Sequence, residues 1–556
     1  MKNTLTNNRM STMPVMNMMS ADQGDGTYSN PILHADYSDL DVIQVGDNFY
    51  MTASSFSHVP GLPILHSTDL VNWQLIQHAI PRFDFEEYNR PQHGKGVWAP
   101  AIRFHQQQYW IFYGDPDKGI FMTTATDPAG EWSSLHLVKA GLGLIDPCPF
   151  WDDDGQAYIV HAYAHSRCGI QHQLNICRMS PDGRELLDEG QIVFDGTLDH
   201  PTLEGPKLYK RNGYYYIFAP AGGVATGWQT VLRSTSIYGP YEDKIVLQQG
   251  DTAINGPHQG AWVELASGES WFMHFQDKGV YGRIVHLQPM TWKNDWPVIG
   301  IDSNEDGIGE PVLHYRKPNV NRESKMMGLA TTDEFDHLQL GLQWQWQANP
   351  SKAWFDFQRE SHLRLYCLTN DEVTNTAIYT APNLLMQKFP ASTFTASVKM
   401  DVTMLQSADK VGLIVFGQQY CYLAVSRTEH TKELAITLVV GDDVVETTHY
   451  SVVDSVNEVL EKTHYSAVNS TDEVLGTRHY LVVDSTEEII LQVAVSEGGL
   501  CRFSYELVEG VVQHCEYAFQ AKPGHWVGAK IGMFAHAESN HSNVGFVDVD
   551  WFRVTV

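Results

Sequence analysis

Five similar stretches decide the fold of this chain: GDNFYMTASS (46–55), QQQYWIFYGD (106–115), DGQAYIVHAY (154–163), NGYYYIFAPA (212–221) and SGESWFMHFQ (267–276). Each begins with turn-type or polar residues and continues into a strand with an aromatic anchor. The anchors, which recur 49–59 residues apart, are Tyr50, Tyr109, Tyr158, Tyr215 and Trp271. Repeats of this period that hold short strands indicate propeller blades, and long helical periodicity is absent. We therefore predict a five-bladed β-propeller; the alternative is a β-sandwich with coincidental spacing.

Outside the repeats, the sequence divides into further segments. We predict a disordered lead-in at residues 1–27, the propeller at 28–319, a polar linker at 320–336 and a second domain at 337–556. In FTASVKMDV (394–402), apolar and polar residues alternate, and Val547, Val549 and Trp551 alternate with two aspartates. This period of two is typical of half-buried strands. The prediction is an all-β chain whose second domain is a β-sandwich.

Within the second domain, one unit of 15 residues occurs three times in tandem. The copies are ETTHYSVVDSVNEVL (446–460), EKTHYSAVNSTDEVL (461–475) and GTRHYLVVDSTEEII (476–490), and their histidines are His449, His464 and His479. The period is too short for the usual solenoid units. We interpret the segment as a local duplication that lengthens one hairpin or loop, in preference to a histidine metal site.

The net charge and the cysteine content argue against some classes of function and indicate a cellular compartment. The formal net charge is −29 and the pI is about 5.2, so the basic footprint of a nucleic-acid binder is missing and an anionic membrane would repel the surface. No apolar run has the length of a membrane span, and the lead-in lacks the apolar core of a signal peptide. Seven widely spaced cysteines without a CxxC pair suit a reducing compartment. We predict a cytoplasmic protein; its oligomeric state stays open, a homo-oligomer included.

Three acids stand out because each lies near the first strand of a different repeat, at what we expect to be the corresponding place. They are Asp39, Asp146, which lies in the apolar stretch GLIDPCPFW (143–151), and Glu204. The innermost strands of a propeller line one channel, so these acids are expected to converge there. Asp41 would share a face with Asp39 if this segment were a strand, which leaves either of the two as the first acid.

The same segments resemble glycoside hydrolase family 43, in particular its β-xylosidase and α-L-arabinofuranosidase branch. The resemblance rests on blocks such as YSDLDVIQVGDNFYMTASSF, PGLPILHSTDLVNW, IDPCPFWDDDGQAYIVHA, LEGPKLYKRNGYYYIFAPAGG and YGRIVHLQPMTW, in matching order from about residue 28 onward. It implies a five-bladed catalytic propeller followed by a concanavalin A-like sandwich of jelly-roll topology that closes one end of the site. Ser38 and Leu40 stand where the family often has proline.

The resemblance also implies a role for each acid. Asp39 would be the general base, Glu204 the general acid, and Asp146 the residue that orients Glu204 and tunes its pKa. Inverting hydrolysis needs a protonated acid at the leaving oxygen and a carboxylate that activates water from the opposite face. The implied sugar contacts are Phe56, Trp98 and Arg283, with His258 in the channel.

The expected activity is exo-acting release of terminal xylose from β-1,4-xylo-oligosaccharides. The alternatives are an α-L-arabinofuranosidase, a dual activity on arabinoxylan fragments, and a non-catalytic carbohydrate-binding propeller. No cofactor is required by this chemistry. Asp302, Asn304 and Asp306, followed by Gly307, copy the start of a calcium loop, but Leu313 stands at its twelfth position. A solvated turn is therefore favoured there over a structural calcium ion.

Overall fold

The structure is a computed structural model. It describes residues 21–320, 327–369, 378–407, 409–427, 433–451, 460–466, 477–481, 488–507, 510–537 and 544–556. Nearly all regular elements in this part are strands. The exceptions are a four-residue helix, α1 (His165–Cys168), and short 3-10 turns at Glu86–Asn89, Gly279–Tyr281 and Ile378–Thr380. No described helix has the length and apolar character needed to cross a lipid bilayer.

Five four-stranded antiparallel sheets follow the first strand, β1 (Thr27–Ser29), and confirm the five-bladed propeller. Blade 1 comprises β2 (Asp41–Val45), β3 (Asn48–Thr52), β4 (Gly61–Ser67) and β5 (Trp73–Ile80); blade 2 comprises β6 (Trp98–His105), β7 (Gln108–Asp115), β8 (Gly119–Ala125) and β9 (His136–Ala140). Blade 3 comprises β10 (Leu144–Trp151), β11 (Ala157–Tyr163), β12 (Gln173–Met179) and β13 (Gln191–Asp195); blade 4 comprises β14 (Lys207–Arg211), β15 (Tyr214–Ala221), β16 (Trp228–Ser234) and β17 (Glu242–Leu247). Blade 5 comprises β18 (His258–Glu264), β19 (Ser270–Asp277), β20 (Arg283–Lys293) and β21 (Trp296–Ile299). The five aromatic anchors of the repeat all lie in the second strand of their blade.

Apolar side chains fill the spaces between neighbouring blades. Five separate buried clusters occupy the five blade interfaces, and the cluster between blades 5 and 1 includes Phe49, Trp73 and Trp271. The ring closes without exchange of a strand between blades. Instead, Asn30 donates to the carbonyls of Leu287 and Val312, and β1 pairs with β22 (His314–Arg316). Packing of neighbours thus buries sheet faces that no blade could bury alone.

The innermost strand of every blade begins with the same backbone irregularity. One residue there has a positive φ, in the left-handed region that non-glycine residues rarely adopt. These residues are Asp39 (φ 55), Ala99 (φ 33), Asp146 (φ 57), Gly205 (φ 58) and Gln259 (φ 43). In β6, β10 and β18 the pairing register shifts at this point, as at a β-bulge. The irregularity re-aims the side chains at one end of the channel, which we call the channel mouth.

The second domain consists of two antiparallel sheets, which confirms the β-sandwich. Its strands are β23 (Gln345–Trp346), β24 (Phe355–Asp356), β25 (Leu363–Tyr366), β26 (Leu385–Lys388), β27 (Phe394–Asp401), β28 (Asp409–Phe416), β29 (Cys421–Arg427), β30 (Glu433–Val440), β31 (Asp443–Ser451), β32 (Leu460–Ser466), β33 (Thr477–Leu481), β34 (Glu488–Ser496), β35 (Leu500–Glu506), β36 (Val512–Gln520), β37 (Lys530–Ala537) and β38 (Phe546–Thr555). One sheet has the order β23-β26-β37-β28-β29-β30-β31-β32-β33, and the other has the order β24-β25-β38-β27-β34-β35-β36. A single apolar core lies between them.

Two sequence patterns in the sandwich can be compared with these strands. The alternation of FTASVKMDV matches the alternating burial of β27. In β38, by contrast, Phe552 is buried and Trp551 is not, so the predicted alternation ends after Val549. The reason is a bulge: Lys399 pairs with Trp551 and the next residue, Met400, pairs with Val549, which leaves Asp550 unpaired and reverses the parity of the strand.

The tandem repeat adds strands to the edge of the nine-stranded sheet. Each copy contributes one strand, and β31, β32 and β33 pair consecutively and antiparallel. Residues 452–459, 467–476 and 482–487, and the side chains of the three histidines, lie outside the described part of the chain. The interpretation as a lengthened hairpin agrees with this pairing, and a histidine metal site stays untested.

The two domains share hydrogen bonds close to the channel mouth. Val59 and Trp346 exchange backbone hydrogen bonds of 2.6 and 3.0 Å, and Ala529 N donates to Val280 O at 2.7 Å. Asp333, within the segment predicted as a linker, already forms a bridge with Phe552 of the sandwich. The predicted domain bounds themselves stay a prediction.

Candidate active site

Asp39 lies at the channel mouth just before β2, where its carboxylate is buried and accepts three hydrogen bonds. Oδ2 accepts from the hydroxyls of Ser38 (2.7 Å) and Ser54 (2.6 Å), and Oδ1 accepts from Arg283 Nη1 at 2.8 Å. The Ser38 hydroxyl in turn accepts from the same guanidinium at 2.6 Å. Arg283 is the first residue of β20 in blade 5, so this network joins the first and last blades. It fixes both oxygens of the carboxylate in one orientation.

Asp41 has different surroundings although it is only two residues away. It is fully buried, and its Oδ2 accepts from Arg103 Nη1 at 2.6 Å and from Ile102 N at 2.8 Å. The premise of a shared strand face fails because Asp39 precedes β2 and has a φ of 55°. Asp41 therefore joins blade 1 to blade 2 below the mouth, and Asp39 is the one that belongs to the cluster of acids.

Asp146 occupies in blade 3 the position that Asp39 occupies in blade 1. Its side chain is buried, and Oδ2 accepts from the backbone N–H of Gly205 in blade 4 at 2.8 Å. Burial raises the pKa of Asp146 to about 7; the charge of Asp39 acts in the same direction, and the Gly205 hydrogen bond opposes it. A carboxyl group with this pKa can hold a proton near neutral pH.

Glu204 extends into the mouth from the residue before Gly205. It is therefore one position earlier than Asp39 and Asp146, and the expectation that all three acids occupy corresponding places is wrong by one residue. The longer side chain compensates for the offset. Burial and the like charges of Asp146 and Asp39 raise the pKa of Glu204 to about 8. About 35% of the side chain remains exposed, so a substrate can reach it from the mouth.

His258 occupies in blade 5 the position that Glu204 occupies in blade 4. Its Nε2 atom lies 3.6 Å from Glu204 Oε1, which is longer than a hydrogen bond. Burial, with the nearby Arg283 charge, lowers the pKa of His258 to about 3, so the ring is neutral and the contact is not an ion pair. Neither ring nitrogen has a hydrogen-bond partner among the described residues. The neutral imidazole can therefore accept a hydrogen bond from a ligand or a water molecule.

Aromatic rings form one wall of the mouth. Phe56 is buried and lies edge-to-face with the partly exposed Trp98, at 6.3 Å between ring centroids. Trp526 of the sandwich also lies edge-to-face with Trp98, at 6.2 Å between ring centroids, and the Arg283 guanidinium lies 5.9 Å from the Trp526 ring. The guanidinium of Arg167 in α1 lies 5.6 Å from the Trp98 ring and pairs with Asp117. Such rings can stack on the faces of a sugar.

Several of these residues were missed by sequence reasoning. Ser54 donates to Asp39 and accepts from Ala99 N at 2.7 Å, but nothing in the run TASS marks it out. Trp526 is remote in sequence from every other residue of the site. The lone tryptophan in the loop PGHWVG (523–528) is the signal that could have drawn attention to it.

The structure brings all seven predicted site residues to the channel mouth. The predicted calcium loop lies elsewhere, after β21, where Asp302 and Asp306 accept hydrogen bonds from the N–H groups of Gly307 (3.0 Å) and Ile308 (2.8 Å). Within the described ranges, no three His, Cys, Asp or Glu side chains are grouped to hold a metal ion. A solvated turn stays the favoured interpretation of this loop, and the alternative of a structural calcium ion at Asp302, Asn304 and Asp306 stays untested.

The arrangement suits acid–base chemistry at one sugar ring. A carboxylate held by three donors and a protonated acid that reaches solvent face the same space, with a second buried carboxyl group, that of Asp146, beside the acid. Hydrolysis of a glycosidic bond uses such a division of labour between two carboxyl groups. The aromatic wall and Arg283 supply stacking and hydrogen bonding for the sugar.

Comparisons with known proteins point in the same direction. Residues 28–297 match the model of glycosyl hydrolases family 43, and residues 332–555 match that of the β-xylosidase C-terminal concanavalin A-like domain. A protein of Xylanibacter ruminicola, provisionally named a β-xylosidase, is 44% identical over 402 residues, 72% of this chain and 73% of the relative. A β-xylosidase of Formosa agariphila is 34% identical over 462 residues, 74% and 77% of the two chains.

Two further similarities concern proteins of Bacteroides ovatus. A non-reducing end α-L-arabinofuranosidase is 29% identical over 450 residues, which are 76% of this chain and 80% of the relative. The solved structure of a family 43 protein from a xyloglucan utilisation locus superposes with a TM-score of 0.76 at 26% identity, over 95% of this chain and 99% of that chain.

Proposed function

Because this chain belongs to glycosyl hydrolases family 43, we propose that it removes terminal xylose from β-1,4-xylo-oligosaccharides with inversion of configuration. The observation that carries the proposal is the environment of Glu204 beside Asp39 and Asp146. Its pKa of about 8 keeps it protonated at neutral pH, and its exposed third faces the mouth. A protonated acid that a substrate can reach is what departure of a sugar leaving group requires.

In this proposal each acid has one role. Glu204 donates a proton to the leaving oxygen, and Asp39 takes a proton from the water that attacks the anomeric carbon. Asp146, hydrogen-bonded to Gly205 N, holds the backbone next to Glu204 and raises its pKa through its charge. Arg283 holds Asp39 and is available to the sugar hydroxyls, and the neutral His258 accepts a hydrogen bond in the channel.

The covered side of the mouth supports exo action on short substrates. Trp526 of the sandwich stands against Trp98 and limits the length of chain that fits beside the acids. The named β-xylosidase relatives support xylose as the terminal sugar. The Bacteroides ovatus arabinofuranosidase favours α-L-arabinofuranosides as the second candidate, alone or as a dual activity on arabinoxylan fragments. The seven cysteines, all of them described and none in a disulfide, support a cytoplasmic location, with imported oligosaccharides as substrates.

The test is hydrolysis of an aryl β-xyloside and an aryl α-L-arabinofuranoside, compared at equal concentrations. We expect the xyloside to be the better substrate and xylobiose to be cleaved to xylose. Proton NMR of the first product should show α-xylose before mutarotation, as inversion requires. Initial release of β-xylose would contradict the mechanism, and a faster arabinofuranoside would select the second candidate.

A further inference from the structure

Two loops from different domains touch beside Arg283. One is the blade-five loop, residues 279–283, and the other is the sandwich loop, residues 524–529, which carries Trp526. The backbones approach so closely that a Cβ atom on Gly528 would lie 2.6 Å from the Tyr281 carbonyl carbon, and one on Gly282 would lie 2.6 Å from Gly528 N. Both positions therefore need glycine. The sandwich loop is thus pressed against the residue that precedes Arg283.

The carboxylate of Asp36 lies between these two loops and binds both. Its Oδ1 accepts from Arg283 N at 2.8 Å, and its Oδ2 accepts from Gly528 N at 3.0 Å. Asp36 is 4% exposed, so these are buried, charge-assisted hydrogen bonds. The neighbouring backbone adds to the attachment, because Tyr37 N donates to Arg283 O at 3.0 Å. One side chain thus fixes backbone atoms of blade 5 and of the sandwich at once.

Both bound atoms are close to groups that form the mouth. Arg283 holds Asp39 at 2.8 Å through the far end of its side chain, and Gly528 is two residues from Trp526. Trp526 in turn lies 5.9 Å from the Arg283 guanidinium and 6.2 Å from Trp98. A shift of either loop would therefore move a sugar-binding group, and Asp36 restrains both shifts.

We propose that Asp36 is a positioning residue that couples the sandwich loop to Arg283 and so sets the relative positions of Trp526 and Arg283 at the channel mouth. This inference rests on the proposed glycosidase function. Asp36 does not reach the substrate; it acts through Trp526 and Arg283. In this proposal the sandwich domain is part of the active site. The Asp36 carboxylate fixes the position of its loop relative to Arg283.

A double-mutant cycle with D36N and W526A tests the coupling. The amide of D36N keeps the shape but replaces one acceptor oxygen with a donor that faces an N–H group. We expect D36N to lower kcat/KM for xylobiose about 10–100-fold, since small misplacements of binding groups have effects of this size. W526A should lower it several-fold in the native background and less than about twofold in the D36N background. If the fold-losses in kcat/KM of the two single variants multiplied to give that of the double variant, the proposal would be overturned.

D333N is the matched control. Asp333 also accepts from two backbone N–H groups, Phe335 N at 3.0 Å and Gly341 N at 3.3 Å, and from Trp344 Nε1 at 2.9 Å, and none of these partners belongs to the site described above. We expect D333N to lower the melting temperature and to leave kcat/KM of the folded enzyme unchanged. If D333N reproduced the kinetic effect of D36N, the effect would be one of general destabilisation, and the proposal would fail.

Amide hydrogen exchange tests the role of Asp36 independently of the proposed glycosidase activity. In D36N the amides of Gly528 and Arg283 should exchange at least tenfold faster than in the native protein, whatever the substrate is. Unchanged exchange at both amides would refute the role of Asp36. A native protein that hydrolyses neither aryl glycoside would refute the glycosidase assignment instead, without bearing on the exchange result.

Discussion

The five inner strands carry two successive rings of side chains whose electrostatic surroundings differ. The mouth ring consists of the left-handed residues and those just before them: Asp39, Asp146, Glu204, His258 and Trp98. The inner ring, two residues after each left-handed residue, contains Asp41, Cys148 and Lys207. Both rings hold buried ionisable groups. In the inner ring Asp41 pairs with Arg103 and Lys207 donates to Pro100 O. In the mouth ring Asp39 pairs with Arg283, whereas the Glu204 carboxyl group has, among the described residues, only the neutral His258 at 3.6 Å.

The difference teaches that a charged partner, and not burial, separates the ion-paired acids Asp39 and Asp41 from Asp146 and Glu204, whose pKa values are raised. A buried charge without partners is costly, so an acid in that situation keeps its proton. The pKa values of Asp146 and Glu204 are raised to about 7 and 8, as this argument requires. Asp41, with a guanidinium and two N–H groups around it, has what a buried carboxylate needs to stay in place. Replacing the carboxyl group with an amide should therefore have opposite consequences for stability at Glu204 and at Asp41.

The largest effect should follow loss of the mouth acids. E204Q and D39N should each lower kcat for xylobiose about 10²–10⁴-fold, since general acid and base groups contribute rate factors of this size. The two variants should differ on 4-nitrophenyl xyloside, whose leaving group needs little protonation. E204Q should retain far more activity on this substrate than D39N. Equal losses on both substrates in both variants would contradict the assignment of acid and base, and circular dichroism serves as the folding control.

In the inner ring the corresponding substitution should affect stability. D41N leaves the Arg103 guanidinium, which is only 14% exposed, without its carboxylate. Removing one partner of a buried ion pair costs about 3–5 kcal/mol, so the propeller should unfold at clearly lower denaturant concentration. The kcat of the folded fraction should stay within a few-fold of the native value. Loss of activity without loss of stability would place Asp41, and not Asp39, in the catalytic role.

The sequence could predict the blades but not the offset between the acids. Repeats at regular spacing show how many blades exist, because every blade needs the same aromatic anchor in its second strand. The left-handed residue at the start of each inner strand leaves no comparable trace, since Asp, Ala, Gly and Gln all occupy it. Pattern matching therefore placed Glu204 in register with Asp39 and Asp146, one residue from its true position.

Contacts between segments that are distant in sequence were the second feature of the site that the sequence could not predict. Trp526 reaches the mouth only because two glycines, Gly282 and Gly528, let the two loops touch. No local period or spacing encodes such an approach. The sequence also could not show that Asp39 and Asp41 have different surroundings. The positive φ of Asp39 interrupts the alternation of side-chain directions that a regular strand would impose.

A smaller effect is expected for the pH dependence of D146N. Burial and the charge of Asp146 both raise the pKa of Glu204, so removing that charge should lower it. The acid then loses its proton at lower pH. The alkaline limb of kcat/KM, expected near pH 8 in the native enzyme, should move down by about one pH unit. The amide of D146N can still accept from Gly205 N, which isolates the charge effect, and an unmoved limb would contradict the role of Asp146.

The smallest effect is a gain in stability, and it completes the contrast with D41N. The pKa of Glu204 is raised from 4.5 in the unfolded chain to about 8 in the native protein, so the native state binds the proton more tightly. The tighter binding of this proton therefore stabilises the native state fully below about pH 4.5, and this stabilisation is lost as the pH rises through 8. E204Q, which has no charge to bury, should melt about 2 °C higher than the native protein at pH 8.5 and at the same temperature at pH 4.5. D41N should melt lower at both values. If E204Q instead lost stability at pH 8.5, Glu204 would have charge partners in solution, and the distinction between the two rings would fail.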